Sequence, residues 1–299
     1  MVQWYILMLV PVVFATVASI VEKKTLYKEH AMEFATVFSI IIALLSVIFI
    51  PFANFNFPFF YWPILYIASI VAATAFLFVA KATRHMELSL SSPLFTFNPI
   101  IVAILAWLLL SEGLVLNQIV GIGIIFLGSY FLEMKPKKSF KKELLTPFKV
   151  IVKSKYVHFM LFAVFLYALT ALIDRYILHS APTGTITPFT YLLIVHFFAA
   201  INFLIMITIF HDGIKGVKHG FKSAGGWIFI MALAMLASRS MQVYVITLPA
   251  AKIAMVIAMK RGSTVLTTFF GGGIFHDKHL KQRTLSSLVM VLGTIIMIL

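Results

Sequence analysis

The chain has 299 residues, of which 62% are hydrophobic and only 11% charged. A soluble domain is about half apolar and about a quarter charged, so no water-soluble fold of this length hides so much Phe, Ile and Leu, and the excess faces lipid. The net charge of +14 does not point to nucleic acid, because the basic residues sit mainly in short stretches between apolar runs, where they meet anionic headgroups, and no folded basic domain presents a patch.

Continuous apolar runs of about twenty residues match a helix crossing a bilayer, and they predict an all-α polytopic membrane protein with roughly ten spanning helices. A β-barrel is excluded, since its segments would be short and alternate in polarity. The first half gives spans at 3–21, 34–53, 62–80, 88–110 and 114–132, and the second at 157–173, 189–210, 227–248, 250–275 and 283–299. The opening span has no basic residue ahead of it, and Lys23, Lys24 and Lys28 follow. That flank pattern reads as an uncleaved first helix rather than a signal peptide. The long polar stretch 134–156 carries eight lysines (Lys135, Lys137, Lys138, Lys141, Lys142, Lys149, Lys153 and Lys155), with Pro136 and Pro147 between them. It divides the chain into a first half, 1–133, and a second half, 157–299.

Lys and Arg collect on one side of the expected membrane: loops 22–33, 81–87, 211–226 and 276–283, together with the lysine-rich link. Little beyond Arg175 and Lys252 falls on the other side. By the positive-inside rule the link is cytoplasmic and both termini are outside.

The two halves end alike. Ser111-Glu112-Gly113-Leu114 leads through Gln118 to Phe126-Leu127-Gly128-Ser129, and His276-Asp277-Lys278-His279 leads through Arg283 to Val291-Leu292-Gly293-Thr294. The acids and the glycines share one offset (277 − 112 and 293 − 128 both equal 165). Glu22-Lys23 and Asp174-Arg175 close the first expected helix of each half. An odd number of helices per half requires the second to insert upside down, and inverted repeats are a mark of secondary transporters.

The residues Met259-Lys260-Arg261-Gly262-Ser263-Thr264, then Gly271-Gly272-Gly273-Ile274-Phe275-His276-Asp277-Lys278-His279-Leu280 and Leu292-Gly293 resemble the C-terminal signature of EamA-type proteins, in the drug/metabolite transporter superfamily. Typical members carry Glu where Asp277 stands, and Glu112 occupies the matching place in the first half. The resemblance implies a carrier of two five-helix repeats around a central cavity, with the last helix of each repeat peripheral. Familiar members often keep both termini in the cytoplasm, whereas the lysine distribution here places them outside.

Charge inside the expected spans is the most informative feature. Lys260-Arg261 lies about ten residues past Pro249, hence about 15 Å deep at 1.5 Å per residue, and Arg239 is similarly central. Each such cation costs about 2.5–3.5 kcal/mol on insertion scales. The expected spans offer no acid at mid-depth to neutralise them, so these cations are expected to face a wet cavity. Thr264, Thr267 and Gly271 follow Lys260 at helical spacing, and Gln242 shares a face with Arg239. In the other reading the cations pair with Glu22 or Asp174 and only fix packing. Asn98-Pro99, with Thr96 nearby, marks the fourth helix, where Pro99 cannot donate to the Phe95 carbonyl and leaves an acceptor to a ligand or a neighbouring helix.

The candidate solute-binding residues are therefore Lys260, Arg261, Arg239, Gln242, Asn98, Thr96 and Thr264, and the candidates for proton coupling are Glu22 and Asp174. Glu112 and Asp277 read as acids complementing the N-termini of the helices that follow them. His276 and His279, flanking Asp277, read as solvated loop histidines rather than a metal site, and no cofactor is expected. The function these features predict is secondary transport of a small anionic or zwitterionic metabolite, such as an amino acid or phosphorylated metabolite, by alternating access. The alternative is export of a lipid-linked or hydrophobic solute. An enzyme would need a nucleophile, metal triad or paired acids at membrane depth, and no P-loop occurs. The expected partners are the solute and membrane lipid, not nucleic acid, for a monomer or homodimer in the cell membrane.

Overall fold

A computed structural model describes residues 4–26, 30–113, 115–133, 154–180 and 186–296. Most of the link 134–156 lies outside them. The regular structure among the described residues is helical throughout. Eight segments are long and apolar enough to cross a membrane: α1 (Trp4–Leu26), α2 (Ala31–Phe52), α3 (Tyr61–His85), α4 (Leu88–Leu110), α6 (Lys155–His179), α7 (Pro188–Phe210), α9 (Trp227–Ile246) and α10 (Ile253–Ile274). The remaining two expected spans are also helical, as α5 (Leu116–Glu133) and α11 (Leu280–Ile296). A short helix, α8 (Gly213–Ala224), occupies the stretch read above as a loop.

Local sequence explains several of the boundaries. Pro188 opens α7 at a position whose N–H has no helical partner anyway, and the Thr187 hydroxyl caps it by accepting the Thr190 N–H. In α8, Gly216, Gly220 and Ala224 recur every fourth residue and are buried, while Ile214, Phe221 and Lys222 on the other faces are exposed. A Cβ on Gly220 would meet Val37 at 2.9 Å and the Glu33 carbonyl at 3.2 Å, so only glycine lets this helix lie so close to α2.

The first helix of each half runs further than its apolar run suggests. α1 continues to Leu26 and α6 to His179, so Glu22-Lys23 and Asp174-Arg175 lie inside helices instead of ending them. The two basic residues are tolerated because they are buried against partners. The Lys23 ammonium donates to the carbonyls of Thr83 and Met86 at the end of α3, both at 2.5 Å. Arg175 donates to the Ile246 carbonyl at the end of α9 (2.7 Å) and to Glu112 (3.0 Å). Glu112 thus ties α6 to the loop before α5. Asp277 accepts the Ser89 N–H of α4 at 2.7 Å. Both acids hold other elements together, in place of the expected role at the N-termini of α5 and α11.

Two helices are interrupted. In α4 the α-helical turns give way to a 3-10 turn at Phe95–Phe97. The Phe95 carbonyl, expected to lack a partner because of Pro99, accepts the Asn98 N–H there. In α10 the helix breaks at Arg261 and widens into a π-turn at Thr267–Gly271. Adding 165 to positions 95–97 gives 260–262, so the two breaks fall at matched places.

The helices pack in a regular pattern: α1 on α9, α3 on α6, α2 on α7, α4 on α10 and α5 on α11. At the last of these contacts a Cβ on Gly128 would meet Met290 and the Ser286 carbonyl, and one on Gly293 would meet Ile125 and the Gly121 carbonyl. Each contact maps onto the other under the same offset of 165. Much of the outer surface is apolar, with Leu44, Ile48, Leu108, Leu109, Ile209, Leu285 and Leu292 exposed, as lipid contact requires.

Candidate functional site

A cavity of about 260 Å³ lies among α1, α2, α3, α4, α6, α7, α9 and α10. Most of its wall is apolar, including Phe38, Phe76, Phe95 and Ile257. Against that wall stand Glu22, Asn98, Asp174, Arg239, Gln242, Lys260, Arg261 and Thr264. All but one of the candidate solute-binding and proton-coupling residues therefore line the same cavity. The side chain of the remaining one, Thr96, falls outside the described residues.

The charges are not equivalent. Arg239 donates to Asp174 at 2.5 Å, and the other carboxylate oxygen of Asp174 accepts the Tyr191 hydroxyl. The expectation that no acid neutralises the cations fails for Arg239, because Asp174 sits inside α6 and points at it. Lys260 donates to the Gln242 side-chain carbonyl at 2.7 Å. Arg261 donates to the Asn98 oxygen at 2.9 Å and lies over the Phe95 ring, 5.1 Å from its centroid. Among the described residues neither has a carboxylate partner, and the Arg261 Nε is buried with no hydrogen-bond partner.

Asn98 is held from both sides, since its amide also donates to the Val164 carbonyl of α6 at 2.8 Å. Through Asn98 and Gln242, α4 and α9 orient the two cations that the break in α10 exposes. A helix interruption at membrane depth is tolerated where it lines a cavity. The stripe expected to run from Lys260 along α10 is only partly present. Thr264 faces the cavity, whereas the π-turn rotates the residues beyond it. Gly271 packs against Leu88 and Ile20, and Gly272 against Leu280 and Ser89.

Glu22 is buried, lines the cavity, and leaves Oε1 without a hydrogen-bond partner. His196 of α7 also faces the cavity with its Nδ1 unpartnered, and Tyr167 of α6 contributes its ring. Neither residue stands out in the sequence, because one His and one Tyr in apolar helices carry no spacing signal.

Residues 2–134 match the model of the EamA-like transporter family. A solved crystal structure is similar to 98% of this chain and 95% of its own, with a TM-score of 0.64 at 12% identity; at that identity the likeness concerns the fold alone. No curated protein matches the chain.

Proposed function

From the match of residues 2–134 to the EamA-like transporter family model we propose that this multi-pass membrane protein is a carrier of the drug/metabolite transporter superfamily that moves a small anionic or zwitterionic metabolite by alternating access. The observation that carries the reading is the pair Lys260 and Arg261, held in the cavity by Asn98 and Gln242 without a carboxylate partner among the described residues. A buried cation is costly unless something neutralises it, and a carboxylate or phosphate on the solute does so. Glu22, with one unpartnered oxygen, suits the ammonium of a zwitterion or a transported proton. Asp174 is already engaged by Arg239 and Tyr191, which leaves Glu22 as the better candidate for coupling.

Two inverted five-helix repeats account for the pairing of helices. The first helix of each half packs on the third of the other, and the second, fourth and fifth pack on their own counterparts. Such an arrangement puts the solute site between the halves, at the two interrupted helices. The cavity of about 260 Å³ falls below the roughly 300–1,000 Å³ of drug-sized pockets, which favours a small metabolite over a lipid-linked solute.

The test is counterflow in proteoliposomes with labelled anions, zwitterions and cations. Lys260→Ala and Arg261→Ala should each weaken uptake of an anionic or zwitterionic solute about ten- to hundredfold, the worth of a charge-assisted hydrogen bond. Glu22→Gln should retain counterflow and lose uptake driven by a pH gradient. Transport of cations alone, indifferent to Lys260 and Arg261, defeats the proposal.

A further inference from the structure

A second cluster of ligand-type side chains lies away from the cavity, where α2 begins, α7 ends and α8 starts. Glu33 is in the first turn of α2, His211 directly follows α7, and Asp212 directly precedes α8 without a side-chain capping bond to it. One ligand atom from each lies within 4.8 Å of the other two. The His211 Nδ1 stands 3.9 Å from Glu33 Oε1 and 3.6 Å from Asp212 Oδ2. Both separations exceed a hydrogen bond, and this nitrogen is buried with no hydrogen-bond partner. A buried nitrogen left open between two carboxylates calls for an explanation.

We propose that Glu33, His211 and Asp212 form a divalent metal site, for zinc in the first instance, that fastens α8 to the ends of α2 and α7. Zinc bonds of about 2.0–2.2 Å at tetrahedral angles place ligand atoms about 3.3–3.5 Å apart. The His211–Asp212 separation of 3.6 Å is near that spacing and the His211–Glu33 separation of 3.9 Å is wider, so on binding the largely exposed Asp212 closes on the metal from one side and Glu33 Oε1 from the other. One imidazole nitrogen with two carboxylates suits zinc better than calcium, which takes oxygen ligands alone.

The surroundings fit a ligand set held in place. The second oxygen of Glu33 is engaged by His219 of α8 at 2.8 Å, so an outer partner fixes the carboxylate with Oε1 toward His211. The His30 ring lies against the His211 ring, with centroids 4.4 Å apart and planes inclined by 31°, and sets its orientation. Gly216 forms part of the wall, and a Cβ there would come within 3.4 Å of the His211 Nδ1. Three protein ligands leave a fourth position for water.

The test uses the full-length protein, freed of any affinity tag and stripped with EDTA, titrated with zinc chloride by calorimetry and followed by thermal melting. One zinc per chain is expected, with a rise in Tm. Asp212→Asn and His211→Gln should each weaken binding at least tenfold, while the double variant His276→Gln/His279→Gln leaves it unchanged. If His211→Gln does not fold, Asp212→Asn at the exposed helix start decides the matter. Absence of saturable zinc binding, binding untouched by Asp212→Asn, or binding removed by the His276/His279 double variant overturns the proposal.

Discussion

Asp174 is the residue on which the cavity's charge balance turns. Its carboxylate is 1% exposed and holds both Arg239 and the Tyr191 hydroxyl. Removing one partner of a fully buried pair costs about 3–5 kcal/mol, because the remaining charge is left uncompensated. Arg239 keeps 23% of its side chain exposed, toward the cavity, which lowers that figure. Asp174→Asn is therefore expected to reduce Tm by several degrees, and Asp174→Asn/Arg239→Gln to recover part of the loss; a double variant less stable than the single one would contradict the pairing. Lys260 and Arg261 were legible in the sequence because a charge inside an apolar run has so few explanations. The partner of Arg239 was legible only as the alternative reading, Glu22 or Asp174, since an apolar-run criterion stops α6 at its first charged residue and so places Asp174 at the membrane surface. The hydrogen bonds of Asn98 and Gln242 to the two cations join helices far apart in the chain, and no local spacing announces them.

At the level of elements, the matched glycines of α5 and α11 do what small residues do at close helix crossings. The nearest backbone neighbours of an added Cβ are the Met290 N–H at 2.9 Å for Gly128 and the Gly121 carbonyl at 2.7 Å for Gly293. Backbone atoms cannot swing aside as side-chain tips do. Gly128→Val and Gly293→Val should each destabilise the protein by about 1–3 kcal/mol or more through overpacking. Gly123→Val on the same helix, with nothing within 4 Å of the added atom, should leave Tm nearly unchanged. Equal melting of all three variants would refute this crossing. The expected helices were legible from their lengths, and the glycine match from its offset. The breaks were less so: Pro99 signalled one in α4, but nothing local marks the turn at Arg261 or the π-turn beyond it. α8 was missed because three lysines and three glycines in 213–222 read as a loop. Its order comes from packing on α2 and α7, which sequence periodicity alone does not reveal.

Across the whole molecule, the exchange of partners between the two halves gives each half access to both walls of the cavity. If the lysine-rich link faces the cytoplasm, as the positive-inside rule proposes, both termini would lie outside. A reporter fused after Leu299 should be active outside the cell and silent within it; activity inside would reverse the orientation. The chain contains no cysteine, so a single thiol can be introduced without removing any other. Ser19, on α1 one turn before Glu22, lines the cavity, and Ser19→Cys adds little volume. The decisive measurement is its modification by a membrane-impermeant maleimide, applied from each side with and without the solute identified by counterflow. Alternating access to a solute site at Lys260 requires labelling from one side at a time, protection by the solute, and loss of that protection when Lys260→Ala is added. Labelling that no transported solute slows, or protection that persists without Lys260, would contradict it.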